Sequence, residues 1–233
     1  MIADAPSSQR QWLLASLVFG ISYCFAAPGM FPPAILIGWK GAGVGLLAVY
    51  AWAHRPMHGA TAIALVMALG ALGDMVLEIM FIGGALSFLA GHLVAITFYW
   101  RHRRAGQGLA VPGIIALSVT LAAWLLTMAP AITLYAAGLG LMAAAAWASD
   151  FPRSRVAIGA LLFAASDILI FAQMGPLAES TIPNLLIWPL YYAGQFLICF
   201  GVIASLRQRC GSGADVLASG NTTVPSAARA SAP

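Results

Sequence analysis

Charged residues are scarce in this chain. Only 8% of its 233 residues are Asp, Glu, Lys or Arg, whereas 61% are hydrophobic, and the mean hydropathy is +0.91. Soluble domains carry about 25% charged residues. No ordinary soluble core could absorb so many apolar residues, so the composition predicts an all-α, polytopic membrane protein.

Cysteines and the motifs of metal and nucleotide sites are also rare or absent. The chain has three cysteines, an odd number, and Cys24 and Cys199 fall in apolar segments, which argues against a disulfide framework. It contains no HExxH, paired-Cys or clustered-His pattern, no GxSxG elbow and no phosphate-binding loop. We therefore expect no metal, no cofactor and no nucleic-acid partner.

Long hydrophobic runs are what the chain has in abundance. A helix needs roughly 20 apolar residues to cross the hydrocarbon, and the sequence predicts eight such spans: 11–28, 33–53, 60–80, 82–100, 109–128, 131–149, 156–174 and 185–206. We interpret the first as an uncleaved helix rather than a signal peptide. The later helices need an even number of spans that starts inside, and an uncleaved first helix supplies it. The expected organisation is a cytoplasmic segment 1–10, a transmembrane domain 11–206 and a small, polar, disordered tail 207–233.

Arginines alternate with the predicted spans. They precede the first span and follow the second, fourth, sixth and eighth, and the other connections lack Lys and Arg unless Lys40 is counted. Under the positive-inside rule this pattern places both termini in the cytoplasm. We therefore expect a multi-pass protein of the cell inner (cytoplasmic) membrane, and this placement explains the basic excess without nucleic acid.

Four ionisable residues fall within predicted spans: Lys40, Asp74, Glu78 and Asp167. Each costs about 2.5–3.5 kcal/mol near the centre of a helix, so these groups should face an internal cavity and one another. Three carboxyls beside one ammonium favour an un-ionised acid next to a carboxylate, as general acid–base chemistry requires. The residues alone leave three alternatives equally open: an enzyme, a proton-relaying transporter and a structural polar network.

Two pairs of helices carry similar polar elements. "LGD" at 72–74 precedes "AGH" at 90–92, and "ASD" at 165–167 precedes "AGQ" at 193–195, which suggests two parallel four-helix halves. His92 is either a hydrogen-bonding core residue or a ligand of substrate or protons. Tyr191 and Tyr192 form an interfacial belt or, with Gln195, bind a polar headgroup.

These motifs, in this order, resemble the YhhN family of lysoplasmalogenase-like membrane proteins. The resemblance rests on "GD" in the third span, Gly91–His92 in the fourth, "SD" in the seventh and "YYAGQ" at 191–195, and it covers roughly 10–206. Lys40 is matched to the lysine of a Lys-Pro pair in the family, although glycine follows it here. Glu78 occupies a position that is usually apolar or variable in that family.

The resemblance implies hydrolysis of the vinyl-ether bond of lysoplasmalogens to a fatty aldehyde and a glycerophospho-base. Asp74 and Asp167 would divide the acid and base roles, as paired carboxyls do in glycosidases. A lysophospholipid and membrane lipids are the expected partners, and a homo-oligomer is left open. The alternative is a proton-coupled transporter of a small solute or lipid that uses the same carboxylates. The expected substrate-binding residues are Lys40, Glu78, His92, Tyr191, Tyr192 and Gln195.

Overall fold

The computed structural model describes residues 7–26 and 30–220, and within these ranges the chain is helical. Its elements are eight α-helices and one short π-helix: α1 Ser7–Tyr23, α2 Pro33–Ala53, α3 Ala60–Leu77, α4 Phe81–Arg101, α5 Ala110–Thr127, α6 Pro130–Ala148, the π-helix Arg153–Ala157, α7 Ile158–Gln173 and α8 Ile182–Gly220. The described residues contain no strand, only an isolated bridge between Arg103 and Ser149. The all-α prediction is confirmed.

Seven of the described helices, α2 to α8, are long and apolar enough to cross a membrane, with the π-helix counted into α7. Large apolar side chains such as Leu86, Leu117 and Leu134 lie exposed on the outside, as expected where lipid replaces water. The first helix has 17 residues and is not among the seven. The chain is thus a multi-pass membrane protein, while the eighth span and the orientation of the termini stay predictions.

Small residues allow the helices to approach closely. Gly159 in α7 and Gly194 in α8 face each other: a Cβ added to either would lie within 2.8 Å of the other's carbonyl oxygen. Close backbone approach of this kind is how membrane helices gain packing energy without a hydrophobic driving force. The carboxyl-bearing helix α7 is therefore held firmly against α8.

The two sets of four helices pack differently. Helices α1 to α4 pack consecutively, each against the next, whereas α5–α6 and α7–α8 form two pairs and α6 has far fewer contacts with α7. Packing between α4 and α6 joins the two sets. The parallel repeat suggested by the sequence stays a prediction.

The last helix differs from its predicted span at both ends. It begins at Ile182, contains Pro189 and continues to Gly220, whereas the prediction ended the span at 206 and placed a disordered tail from 207. No proline follows Pro189 within this helix, so every later residue of the helix has a backbone N–H that can donate a helical hydrogen bond. Residues 221–233 of the predicted tail lie outside the described residues, as do 1–6 of the N-terminal segment.

Candidate active site between two buried carboxyls

Asp74 lies in the interior face of α3. Buried residues recur at helical spacing through Met67, Gly70, Ala71 and Asp74, so the carboxyl points into the bundle and is only 3% exposed. The hydroxyl of Tyr191 in α8 donates a 2.8 Å hydrogen bond to Asp74 Oδ2. The carboxyl is therefore satisfied by a side chain from a helix that is distant in sequence.

Gln195, one turn after Tyr191, supports that hydrogen bond. Its Nε2 donates to the Tyr191 hydroxyl oxygen at 3.3 Å, and its buried Oε1 has no partner among the described residues. Gly70 makes the room, since a Cβ there would lie 3.0 Å from Gln195 Nε2. The result is a chain of donors from Gln195 through Tyr191 to Asp74.

Asp167 lies in α7 in an equivalent setting. Its carboxyl is 6% exposed, and Oδ2 accepts a 2.7 Å hydrogen bond from the hydroxyl of Tyr135 in α6. His92 Nε2 in α4 lies 3.4 Å from the same hydroxyl oxygen. The neighbouring Ser166 hydroxyl lies 3.3 Å from Asp167 Oδ1, although its shorter bond, at 2.8 Å, is to the Phe163 carbonyl.

The two carboxyl clusters meet around aromatic rings. The ring of Phe163 lies 5.1 Å from that of Tyr191 and 5.3 Å from that of His92, measured between centroids. Phe88 also contacts both Phe163 and Tyr191. Tyr191 bonds to Asp74, and His92 belongs to the hydrogen-bonded chain of Asp167, so Phe163 lies between the two clusters. The two aspartates therefore belong to one buried region.

Each aspartate is supported by the polar element that follows the other aspartate's motif in the sequence. Asp74 precedes the "AGH" helix but is supported by Gln195 of "AGQ", through Tyr191. Asp167 precedes the "AGQ" helix but is supported by His92 of "AGH", through Tyr135. Each carboxyl is thus supported in part by a helix of the other four-helix set: α8 for Asp74 and α4 for Asp167.

Lys40 and Glu78 form a separate ion pair. Lys40 Nζ lies 2.5 Å from Glu78 Oε1, and the Glu78 side chain is 42% exposed. The third helix ends at Leu77, so Glu78 caps it rather than lying within the predicted span 60–80. Lys40 makes its salt bridge to Glu78 and not to Asp74. Glu78 is therefore not a third carboxyl buried beside the aspartates.

Tyr192 faces away from both aspartates. Its hydroxyl lies 2.9 Å from Ser16 Oγ, which donates to the Gly43 carbonyl at 2.6 Å. A Cβ on Gly20 would overlap the Tyr192 ring. Tyr192 thus joins α8 to α1 and α2. No hydrogen bond among the described residues connects it to either aspartate, and its role in substrate binding stays a prediction.

Asp167 lines an apolar groove. The groove encloses about 300 Å³ between α4, α6 and α7, beside the end of α3. Asp167 and Tyr135 are its polar lining residues, and the walls include Leu77, Phe81 and Leu86. Every wall segment lies at the helix ends opposite the arginines. The groove can hold a single apolar chain beside the Asp167 carboxyl.

The sequence did not identify Tyr135 or Ser166. Tyr135 is the only tyrosine of α6 and lies in the second turn of that helix, near the end where interfacial tyrosines are common, so its position did not mark it as a partner of Asp167. Ser166 is adjacent to Asp167 in the "ASD" element, but only the fold gives its hydroxyl partners.

No group of three His, Cys, Asp or Glu side chains in 7–26 and 30–220 is arranged to hold a metal ion. A model of the YhhN family matches residues 35–202. These residues include Lys40, Glu78, both aspartates and the side chains that support the aspartates, but not Ser16, the partner of Tyr192. No curated protein and no solved structure matches the chain.

Proposed function

The chain belongs to the YhhN family, and from this premise we propose that it is a membrane hydrolase that cleaves the vinyl-ether bond of lysoplasmalogen-type lipids. The observation that carries the proposal is a pair of buried aspartates, each bonded to a tyrosine, with one of them in the wall of an apolar groove. Vinyl-ether hydrolysis needs the same two features: proton transfer by paired acids and a place for a hydrocarbon chain.

The chemistry proceeds in three steps. A carboxylic acid transfers its proton to the β-carbon of the vinyl ether, and the C=C electron pair forms the new C–H bond, which leaves an oxocarbenium ion. A carboxylate then removes a proton from water as the water oxygen bonds to the oxocarbenium carbon. The resulting hemiacetal breaks its C–O bond to give a fatty aldehyde and the glycerol hydroxyl. One water is consumed, and the proton returns between the carboxyls before the next cycle.

Asp167 is the residue we assign as the proton donor. It lines the groove, whereas Asp74 does not, so a chain lying between Phe81 and Leu86 would bring its first carbons to Asp167. Tyr135 and His92 fix the orientation of the carboxyl through one continuous hydrogen-bonded chain. A positioned acid of this kind contributes about 10²–10⁴-fold to a rate.

Asp74 is then the carboxylate that stabilises the cation and activates water. The donor chain from Gln195 and Tyr191 fixes its carboxyl, and Phe163, which contacts Tyr191, also contacts His92 of the Asp167 cluster. A fixed anion facing the developing oxocarbenium ion stabilises the transition state electrostatically. The division of labour resembles that of the two carboxyls of glycosidases.

The Lys40–Glu78 pair suits the headgroup. Glu78 directly follows Leu77, which is part of the groove wall, so the pair lies at the same end of the bundle as the groove. One ammonium and one carboxylate complement a zwitterionic phosphoethanolamine or phosphocholine group, with Lys40 on the phosphate and Glu78 on the amine. A zwitterionic lysolipid is therefore the substrate class that we propose.

Replacement of each aspartate by asparagine tests the proposal. The purified full chain in detergent, supplied with a vinyl-ether lysolipid, should release aldehyde, and Asp167→Asn and Asp74→Asn should each lower the rate by about 10²–10⁴-fold. Asp150→Asn is the matched control, because this carboxyl pairs with Arg209 at the far end of the bundle. Full activity in a folded Asp167 or Asp74 variant would remove that residue from catalysis.

The detergent also separates the proposal from transport. An enzyme turns over without a sealed membrane, whereas a proton-coupled transporter needs two compartments. Aldehyde release by solubilised protein supports the hydrolase. Loss of all turnover on solubilisation, with solute movement retained in vesicles, would favour the transporter instead.

A further inference from the structure

A second cavity lies at the opposite end of the bundle from the groove. It encloses about 730 Å³ between the α2–α3 connection, the start of α3 and the last turns of α4. Its rim carries Arg55, His58, Arg101 and His102. This is the arginine-bearing end of the helices, which the sequence predicts to be cytoplasmic.

The charge of this cavity has one sign. None of its lining residues is Asp or Glu, and neither Arg55 nor Arg101 forms a salt bridge with a described residue. The Arg55 guanidinium stacks over the Trp52 ring, with its central carbon 5.3 Å from the ring centroid. Stacking holds the guanidinium in place and leaves its edge N–H groups for an anion.

The backbone shapes the cavity as well. Gly59 has φ of 98°, and a Cβ there would lie 2.9 Å from the Phe98 ring. The α2–α3 connection can therefore pack tightly onto α4 with the His58 and Arg55 side chains beside it. His102 Nδ1 donates to the Phe98 carbonyl at 2.9 Å, so its Nε2 is the ring nitrogen left for another partner.

The lower walls are apolar. Leu93, Val94 and Ala62 lie below the basic rim, toward the interior of the predicted membrane. A free inorganic anion would use the rim alone, whereas a phospholipid would use both parts, with its phosphate on the arginines and its first methylenes on the walls. Two guanidinium groups without anionic partners in the part of the chain that the structure describes, beside an apolar surface, match an amphiphile.

We propose that this cavity binds the phosphate of an anionic phospholipid from the arginine-side leaflet, as a structural lipid separate from the substrate. Arginine forks bind phosphate through paired, charge-assisted hydrogen bonds. Basic pockets between transmembrane helices on the cytoplasmic side are suited to such headgroups. The site shares α4 with the carboxyl region but lies at the other end of that helix, so it does not depend on the proposed hydrolysis.

Lipid titration of the full chain tests the site. The purified protein in detergent is titrated with dioleoylphosphatidylglycerol, dioleoylphosphatidylcholine or inorganic phosphate, and bound species are resolved by native mass spectrometry. The variants are Arg55→Gln and Arg101→Gln, with Arg101→Lys to retain the charge if the glutamine variant fails to fold. The control is Arg10→Gln, which removes a charge at the same end, because Gln9 in the same turn bonds to the Ala53 carbonyl at the end of α2.

The expected result is preferential binding of phosphatidylglycerol. Arg55→Gln and Arg101→Gln should each weaken it by about fivefold, the effect of about 1 kcal/mol per basic residue, while Arg10→Gln and Arg101→Lys keep most of it. An equal loss in Arg10→Gln, unchanged binding in both pocket variants, or no preference over phosphatidylcholine would overturn the proposal. Inorganic phosphate binding as tightly as the lipid would overturn the lipid as the occupant.

Discussion

At the scale of single residues, Asp74 and Asp167 each accept a hydrogen bond from a tyrosine hydroxyl on another helix. The sequence predicted that both aspartates face the interior of the bundle, because an ionisable group in a hydrophobic run is costly when it faces lipid. It could not predict Tyr135, since the partner of Asp167 depends on how α6 and α7 are placed relative to each other. A tyrosine in a helix carries no comparable cost to mark it.

The Tyr135 hydroxyl should matter for catalysis. Tyr135→Phe removes the donor to Asp167 and breaks the chain to His92, so we expect aldehyde release to fall by about tenfold, equivalent to about 1.4 kcal/mol. Tyr99→Phe is the matched control, because its buried hydroxyl has no partner among the described residues. It should leave the rate unchanged. Equal losses in both variants, measured on folded protein in detergent, would contradict the role of Tyr135.

Two adjacent tyrosines should behave differently. Tyr191→Phe removes the donor to Asp74 and should lower turnover by about tenfold. Tyr192→Phe removes only the contact with Ser16, so it should leave turnover unchanged and lower stability by about 0.6 kcal/mol, a typical interhelical hydrogen bond in a membrane protein. Paired assays of rate and thermal unfolding distinguish them. A rate loss in Tyr192→Phe as large as that in Tyr191→Phe would restore Tyr192 to the substrate site.

At the scale of helices, hydrophobic windows predicted the order of all eight described α-helices and the approximate bounds of all but the last. Windows report where apolar residues are dense, so they were less informative where a helix leaves the apolar region. Glu78 was therefore placed inside a span that ends at Leu77, and the continuation of α8 to Gly220 was not expected. The crossed support of the carboxyls was also beyond reach, because it depends on contacts between helices that are not consecutive.

The close contact of α7 with α8 gives a prediction about stability. Gly159→Ala would place a methyl group 2.8 Å from the Gly194 carbonyl oxygen, so one backbone must move. We expect a loss of about 1–3 kcal/mol, as overpacking usually causes, and a lower melting temperature in detergent. Gly113→Ala is the control, because no atom lies within 4 Å of a Cβ there. A melting temperature for Gly159→Ala equal to that of Gly113→Ala would contradict this packing.

At the scale of the whole molecule, the two ends of the bundle differ in chemistry. The groove and the Lys40–Glu78 pair lie at one end, and the basic cavity with most of the arginines lies at the other. The sequence predicted the difference in charge through the positive-inside rule. It predicted an internal cavity beside the carboxyls, but not the bounds of the groove or the existence of the basic cavity, because these depend on the relative placement of helices, which the hydrophobic pattern does not specify.

The predicted orientation places the groove on the non-cytoplasmic side. After replacement of Cys24 and Cys210 by serine, Glu179→Cys in the α7–α8 connection should react with a membrane-impermeant maleimide in intact spheroplasts. Ala105→Cys in the α4–α5 connection should react only after lysis, because it follows the arginines at the end of α4. The reverse pattern would contradict the orientation and would turn the groove toward the cytoplasm.

Proton transfer to carbon is the step on which the proposed hydrolysis depends, and hydrolysis in heavy water measures it. Purified protein in detergent is supplied with a vinyl-ether lysolipid in D₂O, the aldehyde is reduced at once to trap it, and its deuterium content is measured by mass spectrometry. If a carboxyl transfers a proton to the β-carbon, the product carries one deuterium on the carbon next to the former aldehyde, and Asp167→Asn slows its formation by about 10²–10⁴-fold. Aldehyde without that deuterium, or no aldehyde from folded protein, would contradict the mechanism.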